Sequence, residues 1–396
     1  MTNTKTIPQI TNAKSAKKFF SSSLNSIFSS GISVQSRYSA GDIVRVLRNA
    51  ITHNEYIETY VRNNPSMHIP SADTVFRRIH GIGSESGSHR RRGKGSEDRV
   101  RNTEHSGINA ISNLIDTTVM AAMSMGAFSG QVNVAIDEHD MPYYGMDNRC
   151  LINAPFHKFR GTDKAYRFAS IESVKKGERF TLSVIRKYPL DGIGNASEAQ
   201  MLLNHAMSLG VKIGTVLMDR GYLNVGVMNK VESMNLKYII PAKDNHKVKR
   251  FRNMEMKYSE KGFSFLVVGD AISSGKESAN ANFVHVVYYP GRKRHDFSFY
   301  TNMDVTESNV IDIAETYRER WGIENGYLEK KETKEKTHSP EMGVRYFLFF
   351  LSVLLYNMWM LVNLIRRLSG CAWITLMDFI IAMGRGEWVR IMNDNG

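Results

Sequence analysis

Between residues 131 and 240 the chain alternates apolar runs of strand length with stretches of helical spacing, and two of the apolar runs end on an aspartate. Residues 132–137 end at Asp137. Residues 168–173 and 180–188, joined by a turn at Lys176-Gly177, read as a hairpin. Residues 196–209 are amphipathic, 215–218 form a buried run ending at Asp219, 223–234 are helical again, and 238–240 close the series. The order β-β-β-α-β-α-β demands an α/β architecture, because a strand–helix–strand crossover joins parallel strands and lays its helix on a sheet face. The expectation is a mixed sheet flanked by helices on both faces, with carboxylates at two strand ends. Residues 242–306 depart from this order with further strand-like runs at 263–268, 283–289 and 297–300, and read as a β-rich insertion. From 307 onward the spacing is helical.

The remainder of the chain is organised differently. Residues 1–36 are rich in Ser and Asn, and the first 41 residues contain no Asp or Glu. A disordered basic arm is expected there, in preference to an organelle transit peptide, since no amphipathic Arg-rich helix is evident. Residues 37–83 form a helical module: Ile43, Val46, Leu47, Ala50 and Ile51 recur at helical spacing, 55–61 is a second helix, and Pro70-Ser71 opens a third carrying Arg77 and Arg78. This is either a helix-turn-helix that presents its last helix to DNA or a small bundle with a solvated basic face. Residues 84–125 comprise a linker, with Arg90, Arg91, Arg92 and Lys94 suited to phosphate contacts, followed by a helix from 109 to 125. Residues 126–396 are assigned to one catalytic domain. Within it, 346–365 is a twenty-residue stretch without charge, long enough to span a bilayer, yet Ser352, Asn357 and Asn363 favour a buried core helix.

Composition narrows the partners. Lys plus Arg number 52 against 39 Asp plus Glu, a net charge of +13, which suits a polyanion, either nucleic acid or an anionic membrane surface. Two distant cysteines, Cys150 and Cys371, exclude a disulfide framework or a structural zinc site and point to a reducing, intracellular compartment. There is no phosphate-cradling Gly loop before Lys-Ser/Thr, no H-E-x-x-H and no G-x-S-x-G.

The segment Tyr317-Arg318-Glu319-Arg320-Trp321-Gly322-Ile323-Glu324, continuing to Lys331, carries the strongest chemical signal. On a helix, Tyr317, Arg320, Glu324 and Lys331 fall within roughly a 60° arc running ~20 Å. By itself such a stripe is an ordinary solvated face. Its spacing, Y-x2-R-x3-E-x6-K, resembles the motif of the cut-and-paste DDE transposases of bacterial and archaeal insertion sequences. Two more segments resemble that family in order: Ala135-Ile136-Asp137-Glu138-His139-Asp140-Met141-Pro142-Tyr143-Tyr144-Gly145 at the first acid, and Leu217-Met218-Asp219-Arg220-Gly221-Tyr222 at the second. Ile239-Ile240-Pro241-Ala242-Lys243 is similar to the family's next strand, and the long gap from Asp219 to Glu324 fits the branch with an inserted domain.

The resemblance covers about residues 130–365. It implies a ribonuclease H-like catalytic fold and a site of Asp137, Asp219 and Glu324 binding two Mg²⁺ ions, with Mn²⁺ as a substitute. Asp137 would bridge the ions, while Asp219 and Glu324 would each hold one. Tyr317, Arg320 and Lys331 would grip transposon-end phosphates. Asp140 is the alternative first ligand; Asp137 is favoured because it directly ends the apolar run, with Asp140 expected in the following loop. His139 is expected to be a loop histidine and Trp321 to face the core.

The implied activity is metal-dependent cleavage at transposon ends and strand transfer into target DNA. The implied partners are double-stranded terminal repeats and target DNA and a second copy of the chain, in the cytoplasm on the nucleoid and without a membrane. Three alternatives are an inactive or repurposed transposase-derived DNA-binding protein, a ribonuclease H-fold nuclease without strand transfer, and a basic membrane-associated protein with one span.

Overall fold

The computed structural model describes residues 10, 13–29, 36–65, 67–81, 96–147, 150–155, 158–187, 192–320 and 337–385. The chain divides into two compact units, Met1–Ala127 with Gly326–Gly396, and Phe128–Asn325.

The first unit opens with α1 (Ala13–Ser29), where the sequence led us to expect a disordered arm. Ala16, Phe19, Leu24, Ile27 and Phe28 are buried along it. The Ser and Lys residues between them dilute the apolar pattern, so the stripe is legible only against its tertiary partners. Next come α2 (Ala40–His53), α3 (Ile57–Asn63) and α4 (Ala72–Gly81). The start of α2 is fixed by a capping box: the Ser39 hydroxyl accepts from the Asp42 amide while the Asp42 carboxylate accepts from the Ser39 amide. Ile43, Val46, Leu47, Ala50 and Ile51 are all buried, as their spacing predicts. A long helix, α5 (Ser96–Ser124), begins thirteen residues before the helix expected at 109 and takes in the end of the expected linker.

The second unit is built on one ten-stranded sheet. Its strands are β1 (Val132–Pro142), β2 (Ile152–Asn153), β3 (Lys164–Ser173), β4 (Thr181–Lys187), β5 (Ile213–Met218), β6 (Lys237–Pro241), β7 (Lys257–Ser259), β8 (Phe263–Ser274), β9 (Glu277–Tyr288) and β10 (His295–Thr301). The order across the sheet is β2-β3-β1-β5-β6-β10-β9-β8-β7, with β4 also paired to β3. The middle three strands, β1, β5 and β6, are mutually parallel; β3 and β10 flank them antiparallel. Between strands lie α6 (Asn195–Ser208), α7 (Val225–Ser233) and α8 (His246–Arg252), and after β10 comes α9 (Val310–Arg318).

The β-β-β-α-β-α-β order expected from the sequence is thus present. The stretch expected as an insertion does not form a separate sheet: β10 pairs directly with β6, and β9, β8 and β7 extend the same sheet outward. β5, Ile-Gly-Thr-Val-Leu-Met, is apolar along nearly its whole length because a central parallel strand is covered on both faces.

The chain then returns to the first unit with α10 (Met342–Leu368) and α11 (Leu376–Arg385). The sequence had placed these residues in the catalytic domain. Every residue of the most apolar stretch of α10 is buried, and its partners are α5, α4, α1 and α11. Phe28 meets Phe347 edge-on at 5.5 Å, Asn357 donates to Thr118, and Asn363 is bonded to both the amide and the carbonyl of Ile374. The polar residues that argued against a span therefore find partners in a protein core.

Candidate active site

The two aspartates expected at strand ends are brought side by side. In the parallel ladder Ala135 pairs with Leu217 and Ile136 with Met218, so Asp137 and Asp219 follow in matching positions on neighbouring strands. Asp219 caps a short 3-10 turn, Arg220–Tyr222, and its Oδ1 accepts from the Gly221 amide at 2.7 Å. A Cβ on Gly221 would stand 2.9 Å from that same oxygen, so glycine here lets the carboxylate fold back over its own turn. Asp137 Oδ1 accepts from the Glu138 amide at 2.9 Å.

β1 does not end at Asp137 as expected. It stays paired with β3 as far as Pro142, which puts His139 and Asp140 in the strand instead of a loop. Alternation along a strand sends Asp137 to one face and Glu138 and Asp140 to the other. Asp140 is buried and fully engaged: Arg167 Nε and Nη2 donate to its two oxygens at 2.6 and 2.9 Å, and Lys158 Nζ donates at 2.7 Å. Burial opposes its ionisation, but the hydrogen bonds from Arg167 and Lys158 outweigh this and hold the carboxyl below its ordinary value.

On the face of Asp137 stand Tyr317, in the last turn of α9, and Arg320, just beyond it. Arg320 Nη1 lies 3.6 Å from Asp137 Oδ2, and its Nε donates to the Tyr317 hydroxyl at 2.9 Å. The Tyr317 ring stacks on Phe297 with centroids 4.9 Å apart. Burial pushes the Tyr317 phenol up to about 12; Arg320 counters this, while Asp219 and Asp137 add to it. One buried phenol thus senses both aspartates and holds the arginine beside one of them.

Of the single helix expected from Tyr317 to Lys331, only the first residues are described, and they leave the helix early. α9 ends at Arg318, and Arg320 sits in the turn beyond it, its amide bonded to the Tyr317 carbonyl at 3.0 Å. Glu324 and Lys331, like Trp321 and the basic run Arg90, Arg91, Arg92 and Lys94, lie outside the described residues. In the first unit, Arg77 on α4 is exposed and bonds back to the Asp73 carbonyl, beside an open cavity of about 510 Å³ that Glu58, Asp73 and Glu341 also line. Arg78 is half-buried and donates to Ser36.

Asp137 and Asp219 offer only carboxylate oxygens, which fits a hard divalent cation of the Mg²⁺ kind. No group of three His, Cys, Asp or Glu side chains able to hold a metal occurs among the described residues. The sequence pattern missed Glu138, Lys187, Asn195, Glu198 and Tyr222, which form a polar chain behind the site, buried at Glu198 and Tyr222. The signal for Glu138 was present as strand parity, had β1 been read through to Pro142.

Residues 183–358 match the family profile of the transposase DDE domain, a stretch that takes in Asp219 and Glu324 and begins after Asp137. No curated protein matches the chain. Among solved structures, the cryo-EM structure of the piggyBac transposase synaptic complex with hairpin DNA is similar at a TM-score of 0.60 and 10% identity, over 98% of this chain and 82% of that one. The crystal structure of the Mos1 strand transfer complex and the Mos1 transposase paired-end complex with left transposon end each score 0.19 at 13% identity. They match 52% of this chain and 59% and 60% of theirs, a likeness too slight to bear on the fold. The fold of this chain is therefore a ribonuclease H-like mixed α/β fold similar to that of the piggyBac transposase structure, with the transposase DDE-domain pattern across residues 183–358.

Proposed function

We propose that the protein is a DDE transposase that cleaves DNA at the ends of its element and joins them to target DNA. The observation that carries this reading is the placement of Asp137 and Asp219 at matching positions on adjacent parallel strands, the second of them within the transposase DDE-domain match. Charge agrees, since a surplus of +13 suits a chain that handles a polyanion.

Asp137, Asp219 and Glu324 are the residues we assign to hold divalent ions, Mg²⁺ or Mn²⁺. Such ions supply a nucleophile at neutral pH and stabilise charge on the leaving oxygen. The protein's own part is positional. The 3-10 turn fixes Asp219, the β1–β3 ladder fixes Asp137, and Tyr317, clamped on Phe297, aims Arg320 along the same face. Arg320 gives a phosphate a guanidinium to dock on, with Lys331 assigned the same task. Arg77, Arg78 and the run Arg90–Arg92 with Lys94 are proposed as further contacts to duplex DNA, and a dimer as the form that holds two ends.

Excision in cells tests the reading. A plasmid carries the gene with its native flanks, and wild type is compared with Glu324→Gln, a near-isosteric change that removes one metal-binding charge. Excision by wild type and its loss in the variant is the expected result. Equal excision from both would overturn the assignment of Glu324. Excision from neither, with retained DNA binding, would favour a repurposed DNA-binding protein.

A further inference from the structure

Behind β1, on the face opposite Asp137, one ammonium group lies among three acceptor side chains. Lys187, at the end of β4, places its Nζ in contact with Glu138 Oε1, 2.9 Å from Glu198 Oε2 and 3.0 Å from Asn195 Oδ1. Two of these contacts, to Glu138 and Asn195, are hydrogen bonds, and the contact with Glu198 is an ion pair. Its side chain is 15% exposed and that of Glu198 is 0% exposed. Such a group is costly to bury unless it is paired.

Each of the three acceptors leads toward an aspartate of the site. Glu138 is the neighbour of Asp137 on β1, and Arg167 Nη1 holds its second oxygen at 2.9 Å. Glu198, on α6, accepts at its other oxygen from the Tyr222 hydroxyl, and Tyr222 closes the turn that Asp219 caps. Asn195 donates from its amide nitrogen to the Gly221 carbonyl at 3.3 Å, in the same turn. Two straps thus run from Lys187 into the Asp219 turn, and one runs into the Asp137 strand. β1 and β5 share ladder bonds only up to Ile136 and Met218, so beyond those residues the backbone pairing between them no longer holds the strand ends in register.

The geometry points to Lys187 as a positioning residue that, through Glu138 on one side and Glu198–Tyr222 and Asn195–Gly221 on the other, sets the separation of Asp137 and Asp219 and thereby their affinity for a divalent ion. This rests on the proposed metal site. Mg²⁺ demands near-ideal octahedral geometry, so the separation of its carboxylates matters more to it than to a more tolerant ion. Groups that orient metal ligands from behind typically change affinity by about 10- to 100-fold when removed.

The test is Mn²⁺ binding to the full-length protein, read from the loss of the free-ion EPR signal, alongside thermal unfolding. The variants are Lys187→Met, the gentler Tyr222→Phe, Asp219→Asn, and Tyr300→Phe as a control. Tyr300 also donates to a buried carboxylate, Asp270, but on β10 and away from the aspartates. Expected is about a tenfold fall in Mn²⁺ affinity for Lys187→Met and a smaller fall for Tyr222→Phe. Tyr300→Phe should shift unfolding alone. If Lys187→Met does not fold, Tyr222→Phe decides. Wild-type affinity in the folded Lys187 and Tyr222 variants, with Asp219→Asn impaired, would overturn the positioning role and leave the metal site standing. No Mn²⁺ binding by wild type, or binding indifferent to Asp219→Asn, would overturn the metal site and this inference with it.

Discussion

Strand β1 presents acids on both of its faces, and the two faces are treated in opposite ways. Behind the strand, Glu138 and Asp140 are enclosed by Arg167, Lys158 and Lys187, each carboxylate oxygen met by a cation at hydrogen-bond distance. In front, the Arg320 guanidinium stands 3.6 Å from Asp137 and is itself bonded to Tyr317. Residues of the same type, at most three positions apart, thus belong to a structural ion cluster on one side and to the face of Tyr317 and Arg320 on the other. Chemical type alone does not distinguish them; the partners do.

The contrast breaks most sharply in activity. Asp137→Asn is expected to lower metal-dependent cleavage by roughly a thousandfold, since the ion it is proposed to help hold would supply several kcal/mol of transition-state stabilisation. The same change should alter stability by only about 1 kcal/mol, because asparagine keeps the size of the side chain and an oxygen to accept from the Glu138 amide. Cleavage of end-bearing DNA and urea unfolding, measured on one preparation, check both halves. Near-wild-type cleavage would remove Asp137 from the site.

The opposite face should fail in the opposite way. Asp140→Ala is expected to cost about 3 kcal/mol of stability by leaving Arg167 and Lys158 short of a buried partner. Urea midpoints would show it, and a loss below about 1 kcal/mol would mean that water replaces the carboxylate freely.

A third variant sharpens the geometry. Gly221→Ala sets a methyl against Asp219 Oδ1 and should reduce cleavage by about tenfold with little change in stability, the cost of a sub-ångström shift in a ligand. Unchanged kinetics would show that the turn yields.

The smallest effect concerns pH. Asp140 titrates below its ordinary 3.8 in the folded protein, so its contribution to stability is present above that value and is lost as pH falls through the folded one. Acid unfolding of wild type should therefore be steeper below about pH 3.8 than that of Asp140→Asn; parallel curves would contradict the assigned ion pairs.

The helical unit gives the complementary lesson. α2 was legible residue by residue, because its capping box and its apolar spacing are local. α1 was not, since Ala16, Phe19, Leu24, Ile27 and Phe28 are buried only because distant helices cover them. The same holds for α10, whose apolar length was plain but whose membership of the first unit depends on partners in α1, α4 and α5.

By itself the sequence determined the strand and helix order of residues 131–240, the two aspartates that close apolar runs, and the Tyr317–Arg320 spacing. Each of these is written in periodicity or in short-range order, where a few adjacent residues carry the whole physical cause. Only the tertiary structure decided that Asp140 is a strand residue locked by Arg167 and Lys158, that β7–β10 extend the main sheet, and that Lys187 ties both aspartate segments together. Those outcomes depend on which charges meet across tens of residues, and a buried ion has no partner until the chain has folded around it.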